Sequence, residues 1–181
     1  MSNFKRRFSK LKNADANKRG KHFLPGLYLL TVEKSEMFES QNPKKKGHDM
    51  HATNFKVEEF RGERYYDFKR GEDVTSEGMF QKGTSVNAVY DWDDEWGYGV
   101  ANSKELIVAL ILEMDNFSEE SEEAVFDAFD DPEFEEQLNG WLSNGSFVGL
   151  QLVATVQDVG GENKNFFKPS WTPASRSNVF R

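Results

Sequence analysis

Residues 147–159, FVGLQLVATVQDV, are the stretch that decides the fold. Apolar residues alternate along it with polar or small ones, at the period of a β-strand: Val148, Leu150, Leu152, Ala154 and Val156. A Gly160-Gly161 turn follows and leads to NKNFFKPSW, beyond which we expect a loose tail that ends at Arg181. The stretch is therefore predicted to be the last strand of the domain.

Helical patterns precede this strand. Asn102-Ser-Lys-Glu105 resembles a capping box, and apolar residues at helical spacing follow it from Leu106 to Met114. A second helix is expected to start at Ser118. A third has Asp131 as its N-cap, with Pro132 in the first turn and Gly145 as the stop. Two or three helices are thus predicted directly before the last strand.

Four strand patterns lie further upstream. They cover residues 26–34, 53–60, 64–70 and 83–92, and the turn at Arg61-Gly62-Glu63 predicts that the second and third form a hairpin. Strands interrupted by a helical insertion indicate a β-rich α+β fold, and this order predicts an OB-fold-like five-stranded Greek-key barrel. The residues on the apolar phase of each element predict the core: Tyr28, Leu30, Phe55, Val57, Leu110, Leu150 and Leu152.

Charge divides the 181 residues unevenly, although the formal net charge is −8. Residues 1–22 carry +7 and are predicted to be a flexible basic arm, whereas residues 113–136 carry −12. We expect an OB-like domain over 23–170, with an acidic helical insertion at about 102–144, and a C-terminal tail over 171–181. The global acidity does not exclude a polyanionic partner, because basic residues dominate the first half of the chain.

Composition excludes several classes of protein. The chain has no Cys, so disulfide frameworks, cysteine nucleophiles and thiolate metal sites are excluded. No apolar run is long enough to span a membrane, and the basic start MSNFKRRFSKLK lacks the apolar segment of a secretory signal. The sequence therefore predicts a cytoplasmic protein.

Catalytic motifs are not found. His48-x-x-His51 lies in a polar loop beside three lysines, without the helical Glu and His spacing of a zinc site. The acidic run around Asp93 lacks the glycine and closing glutamate of a calcium loop. Neither a phosphate-cradling glycine loop nor a nucleophile elbow occurs. We predict no enzymatic activity, no cofactor and no functional metal.

Interleaved basic and aromatic residues point instead to single-stranded nucleic acid, which is bound by cationic grooves and by aromatic faces on which bases stack. RYYDFKR, at residues 64–70, places Arg64, Tyr66, Phe68 and Arg70 on one strand face. The complete candidate set is Lys44, Lys45, Lys46, Lys56, Arg61, Arg64, Tyr65, Tyr66, Phe68, Lys69, Arg70, Trp92, Trp96 and Tyr98. The alternative for each aromatic is a place in the core, since a small barrel must fill its interior.

The arm has its own pattern. Phe4, Phe8 and Leu11 fall at helical spacing among basic residues, so the arm is predicted to fold on nucleic acid or on a neighbouring protomer. The residues expected to make a protomer contact are Phe4, Lys5, Arg6, Arg7, Phe8 and Lys10. A solvated tail is the alternative.

Two resemblances follow from these segments. LPGLYLLTVEK, the KKKG loop, TNFKVEEFRGERYYDF and the later GENKNFFKPSW resemble small phage-encoded OB-fold proteins that bind single-stranded DNA. The arm is similar to the basic N-terminal segment of the T4-type single-strand-binding protein family, but this chain lacks that family's Cys/His zinc ligands and its C-terminal acidic tail. The resemblances imply a non-enzymatic protein of phage replication or recombination, with single-stranded DNA and replication or recombination proteins as partners. The alternative is a virion assembly protein whose arm docks on a neighbouring subunit.

Overall fold

The computed structural model describes residues 22–180. The strands are β1 (Gly26–Glu39), β2 (Asp49–Gly62), β3 (Arg64–Asp67), β4 (Glu72–Thr75), β5 (Ser85–Asp91), β6 (Gln151–Asp158) and β7 (Phe167–Pro173). The α-helices are α1 (Tyr98–Glu113), α2 (Glu122–Ala128) and α3 (Pro132–Asn144), and they all lie between β5 and β6. The predicted arm contact, from Phe4 to Lys10, lies outside the described residues.

Five strands form one antiparallel sheet in the order β5-β2-β1-β6-β7, and β3 pairs with β4 in a separate hairpin. The register places Val32 opposite Phe55 on one side of β1 and Tyr28 opposite Ala154 on the other. The β1–β2 ladder shifts register twice, which bends and twists these two long strands. The fold is therefore of the β-rich α+β class.

The predicted closure into a barrel is not seen. The strands β5 and β7 remain the two edges of the sheet, and α1 packs against both of them and against β6. The buried side of α1, which includes Leu106, Leu110 and Ile111, covers the sheet side that carries Leu30 and Phe55. The core thus lies between α1 and the sheet.

The predicted last strand is β6, but it does not end the sheet. No strand was predicted over residues 167–173, and 171–173 were assigned to the C-terminal tail, but these residues form β7 beside β6, so the helices precede the last two strands. Pro169 and Pro173 weakened the strand pattern in the sequence. An edge strand tolerates proline because one of its sides needs no backbone N–H donors.

The predicted hairpin between β2 and residues 64–70 is wrong. β1 pairs with one edge of β2 as far as Gly62. β5 and the turn before it pair with the other edge of β2 as far as Val57. β3 pairs with β4 instead, with Tyr66 opposite Asp73. The strand also ends at Asp67, and residues 68–71 form the turn.

Burial confirms most of the predicted core. Tyr28, Leu30, Phe55, Val57, Leu110 and Leu152 are fully buried, and Leu150 is half-buried. Val148, assigned to the same strand face, is exposed because β6 begins only at Gln151.

The helix ends follow the sequence in one case out of three, because α2 begins at Glu122 with Ser121 as its N-cap and not at the predicted Ser118. The caps of α3 are as predicted: Asp131 accepts from the Glu133 N–H, Pro132 is first in the helix, and Gly145 ends it in a left-handed conformation. The capping box at Asn102 is wrong, since α1 already begins at Tyr98.

Candidate nucleic-acid interface

The β3–β4 hairpin is attached to the sheet at its base by Ser76. This side chain is fully buried, and its hydroxyl donates to the Pro25 carbonyl and accepts from the Glu63 N–H at 2.9 Å. Gly62 lies so close to the Glu77 backbone that a Cβ atom there would overlap it. The turn out of β2 is therefore tightly packed, and the hairpin leaves the sheet in a fixed direction.

The outer face of the hairpin carries exposed aromatic and basic side chains. Tyr66 is 44% and Phe68 37% exposed, and their rings meet edge to face with centroids 5.0 Å apart. Arg64, Lys69 and Arg70 are exposed beside them, and only Arg70 has an ion pair within residues 22–180, with Asp67 at 3.5 Å. We call Arg64, Tyr66, Phe68, Lys69 and Arg70 the hairpin platform.

Tyr65 points to the other side of the hairpin. Its ring is half-buried and contacts Phe167 of β7 edge to face at 5.2 Å. Burial and the neighbouring Asp67 carboxylate raise the pKa of the Tyr65 phenol. This predicted site residue therefore anchors the hairpin and does not present a free ring.

The loop between β6 and β7 reaches the tip of the hairpin. Asn165 bonds to the backbone of both Tyr66 and Phe68, and the next residue, Phe166, is 55% exposed. Lys164 is also exposed in this loop. We did not predict Phe166 or Lys164 as site residues. The pair Phe166-Phe167 was the available signal, because adjacent residues of an extended chain point to opposite faces.

Arg61 does not join the hairpin platform. Its guanidinium bonds to the Glu59 carboxylate at 3.0 Å and donates to the Val179 carbonyl at 3.0 Å. It also lies over the Phe180 ring, 4.6 Å from the centroid. This predicted phosphate ligand is therefore occupied by contacts within the chain.

A second group of predicted residues lies at the other end of β2, and we call it the loop cluster: Lys44, Lys45, Lys46, Trp96 and Tyr98. Asp91 joins the two loops, since its carboxylate pairs with Lys45 at 2.9 Å and accepts from His48 at 3.0 Å. Burial works against ionisation of Asp91, but these two hydrogen bonds hold its pKa below the usual range. Lys44 and Lys46 have no ion pair among the described residues.

The rings of the loop cluster are the most exposed aromatics that the structure describes. Trp96 is 77% and Tyr98 69% exposed. Asp94 holds their backbone, accepting from the N–H groups of Trp96 at 2.9 Å, Tyr98 at 3.1 Å and Gly99. Hydrogen bonding to these N–H groups lowers the pKa of Asp94, the Gly99 bond having the largest effect. Because Asp94 satisfies the first donors of α1, the helix starts before the predicted capping box.

Trp92 belongs to the core and not to the surface. Its side chain is half-buried and packs against the hydrophobic core, and the indole Nε1 is buried without a hydrogen-bond partner among residues 22–180. This predicted stacking residue is thus turned away from solvent.

The structure therefore separates the predicted residues into two groups. β2 is 14 residues long, and at about 3.3 Å per residue a straight strand of this length spans about 40 Å, which the bend in β2 shortens. The hairpin platform is at the Gly62 end and the loop cluster at the Asp49 end. Lys56 lies between them, exposed on the outer face of β2 and opposite Thr31 and Ser85.

The described residues are acidic as a whole. Residues 22–180 hold 14 basic and 30 acidic side chains, a formal charge of −16, and the basic excess of the first half lies in residues 1–22. Within the hairpin, Asp67, Glu72 and Asp73 accompany the three basic side chains. The basic side chains of the hairpin are therefore matched by an equal number of carboxylates.

The two histidines that were considered as metal ligands are engaged in hydrogen bonds within the chain. His51 is fully buried, and its ring nitrogens bond to Ser103 at 2.7 Å and Ser35 at 3.0 Å, while His48 bonds to Asp91. Burial lowers the pKa of His51 to about 4. No group of three His, Asp or Glu residues in the described part of the chain could hold a metal ion.

Within residues 22–180, no helix has the length and apolar character needed to cross a membrane. No protein-family model matches the chain, and a search of curated proteins gave no match.

Proposed function

We propose that this protein binds single-stranded DNA without catalysing a reaction, in a replication or recombination system of the phage type. The observation that carries the proposal is the hairpin platform, where two exposed rings, Tyr66 and Phe68, stand between Arg64, Lys69 and Arg70. Bases of any sequence stack on such rings, and cations beside them contact the phosphates.

The sheet order supports an OB-type fold. β6, β1, β2 and β5 lie side by side in this order, which is the 4-1-2-3 arrangement of a Greek key. Three helices connect the third and fourth of these strands in chain order, and β7 adds the fifth strand. In OB folds, the outer face of the second and third strands and the adjoining loops bind oligonucleotides. β2 and β5 with the β1–β2 and β6–β7 loops occupy those positions here.

Stacking is expected to supply most of the binding free energy. Each stacked base contributes roughly 1–3 kcal/mol by alanine substitution. Asp67, Glu72 and Asp73 oppose phosphates at the same hairpin, so only a few phosphate contacts are expected from the folded domain. Binding should accordingly weaken less steeply with salt than in a strongly basic protein, with a slope of about −0.7 for each phosphate contact.

The loop cluster would contact the same DNA strand at a second position. A DNA strand long enough to reach both groups would follow β2 over at most about 40 Å. It would pass Lys56, which lies on the outer face of β2. Site sizes of roughly 4–16 nucleotides per OB fold are typical. We therefore propose that short oligonucleotides occupy the hairpin platform alone and longer ones also reach Trp96 and Tyr98.

The test is the fluorescence anisotropy of a labelled oligonucleotide at two salt concentrations, with unlabelled duplex as competitor. The double variant Tyr66→Ala/Phe68→Ala should bind at least tenfold more weakly than the wild type, because two stacking rings are lost. Val148→Ala, which changes an exposed apolar side chain away from both groups, is the matched control and should bind like the wild type. Failure of the wild-type protein to bind any single strand, or preference for the duplex, would contradict the proposal.

A further inference from the structure

Asn165 joins the hairpin platform to the β6–β7 loop through one side chain. Its amide Nδ2 donates to the Tyr66 carbonyl at 2.6 Å, and its Oδ1 accepts from the Phe68 N–H at 3.0 Å. The two backbone groups belong to the two residues whose rings are exposed. These contacts connect parts of the chain that are 97 and 99 residues apart.

Asp158 at the end of β6 holds Asn165 and its loop in place. The second Nδ2 hydrogen of Asn165 is donated to Asp158 Oδ2 at 2.6 Å, and Asp158 Oδ1 accepts from the backbone N–H groups of Phe166 at 2.9 Å and Gly160 at 3.0 Å. Burial of Asp158 would raise its pKa, but these hydrogen bonds hold the pKa below the usual range. The loop is thus fixed to the sheet on one side and to the hairpin on the other.

Only an amide satisfies all these partners at once. The hairpin backbone offers one acceptor and one donor, and Asp158 offers a further acceptor, so the side chain must donate twice and accept once. Asp in this place could accept from Phe68 but could not donate to Tyr66, and its charge would face Asp158. Ala would leave the three partners to water.

We propose that Asn165 is a positioning residue for the binding of single-stranded DNA, an inference that rests on the proposed function. It fixes the backbone of Tyr66 and Phe68 relative to Phe166, so that three exposed rings form one stacking surface at the end of the sheet. It does not itself contact the bases or phosphates. The β6–β7 loop and the hairpin therefore act as a single binding element, although they are far apart in sequence.

The matched control is in the same loop. Asn163 is exposed and its side chain makes no hydrogen bond with another described residue, so Asn163→Ala removes an amide of the same size two positions away. Asn165→Ala should bind a labelled oligonucleotide about tenfold more weakly, an effect comparable to the loss of one stacked base, whereas Asn163→Ala should bind like the wild type. Because no phosphate contact is lost, the salt dependence of Asn165→Ala should have the wild-type slope.

A double-mutant cycle separates positioning from a general structural role. If Asn165 acts through the rings, Asn165→Ala should weaken binding in the wild-type background and cause little further loss in the Tyr66→Ala/Phe68→Ala background. Thermal unfolding of each variant verifies that it is folded. If Asn165→Ala does not fold, Asn165→Leu, which keeps the size of the side chain and removes its hydrogen bonds without adding a charge, takes its place with the same expectations.

The outcomes distinguish this inference from the proposed function. If Asn165→Ala binds like the wild type, or loses the same factor with and without the two rings, Asn165 is not a positioning residue. A changed salt slope would also overturn the inference, because it would mean a direct phosphate contact. If the wild-type protein binds a single strand and the Tyr66→Ala/Phe68→Ala variant binds like it, the hairpin platform is not the binding surface and the inference on Asn165 fails, whereas the proposed function fails only if the wild-type protein binds no single strand or prefers the duplex.

Discussion

Asp73 lies directly opposite Tyr66 in the β3–β4 ladder. Directly opposed residues of an antiparallel pair have their side chains on the same face, so this carboxylate stands beside one of the two exposed rings of the hairpin platform. The surface that presents the aromatic and basic side chains therefore also carries negative charge. This arrangement leads to the first prediction, which concerns the sign of a substitution effect.

Asp73→Asn should tighten binding to a single-stranded oligonucleotide at low salt. The change keeps the side-chain size and removes a negative charge that repels phosphates near Tyr66, and we expect an effect of about threefold. The gain should disappear at high salt, because screening shortens the range of the charge to about 3 Å at 1 M. Anisotropy titrations at both salts measure the effect, and tighter binding that persists at high salt would contradict this explanation.

His51 should make the free energy of unfolding depend on pH. Burial lowers its pKa to about 4 in the folded protein, whereas the unfolded chain has the ordinary value near ~6.5. As the pH falls between these two values, the unfolded state takes up a proton that the folded state does not, so the folded state is destabilised by up to about 1.4 kcal/mol per pH unit. Urea unfolding at several pH values, for wild type and His51→Gln, should give a wild-type slope steeper than that of the variant in this interval. Carboxylates contribute to both proteins and cancel in the comparison, so parallel curves would show that His51 does not titrate as described.

Asp94 should stabilise the start of α1. It accepts from three backbone N–H groups around Trp96, Tyr98 and Gly99. Asp94→Ala leaves these donors without their acceptor and should lower the midpoint of thermal unfolding by several degrees. Glu95→Ala is the control, since Glu95 is exposed and makes no hydrogen bond or ion pair with another described residue. Equal midpoints for the two variants would mean that the loop does not depend on Asp94.

The arm should affect long strands more than short ones. Residues 1–22 carry +7, and the exposed carboxylates Glu119, Glu120, Glu122 and Glu123 are part of the −12 segment. We expect these charges to compete with DNA for the arm. Deletion of residues 1–22 should therefore reduce cooperative binding to long single strands more than the affinity for a short oligonucleotide. Neutralising the four glutamates should tighten binding at low salt, and unchanged cooperativity after the deletion would mean that the arm is only a solvated tail.

Much of the fold could be predicted because it depends on local patterns. Strand alternation identified the buried residues Tyr28 and Phe55, and the helix-capping residues Asp131 and Gly145 gave the ends of α3. The pairing of β3 could not be predicted, because it depends on which edges of β2 are already occupied. The start of α1 was also predicted wrongly. Asp94 lies outside the helix and accepts the hydrogen bonds that an N-cap side chain would otherwise accept.

The candidate site was predicted only in part, because Tyr65, Arg61 and Trp92 are engaged by contacts within the chain and the exposed residues of the β6–β7 loop were missed. Alternation predicted that Tyr66 and Phe68 share a face, and both side chains are exposed, although Phe68 lies in the turn after β3. The distance between the hairpin platform and the loop cluster follows from the length of β2, which extends beyond the strand pattern at its Asp49 end. Asn165 carries no signal in the sequence, because its role comes from contacts with residues almost a hundred positions away.

The central claim is that bases of a single strand stack on the hairpin platform, and photochemical crosslinking tests it most directly. The full-length protein would be irradiated with an oligonucleotide carrying a photoreactive base, and the modified peptides would be identified by mass spectrometry. The account predicts crosslinks at Tyr66 and Phe68, with Phe166 as a third position, and their loss when excess unlabelled single strand is added. Crosslinks confined to other parts of the chain, with the peptide containing Tyr66 and Phe68 unmodified, would contradict it.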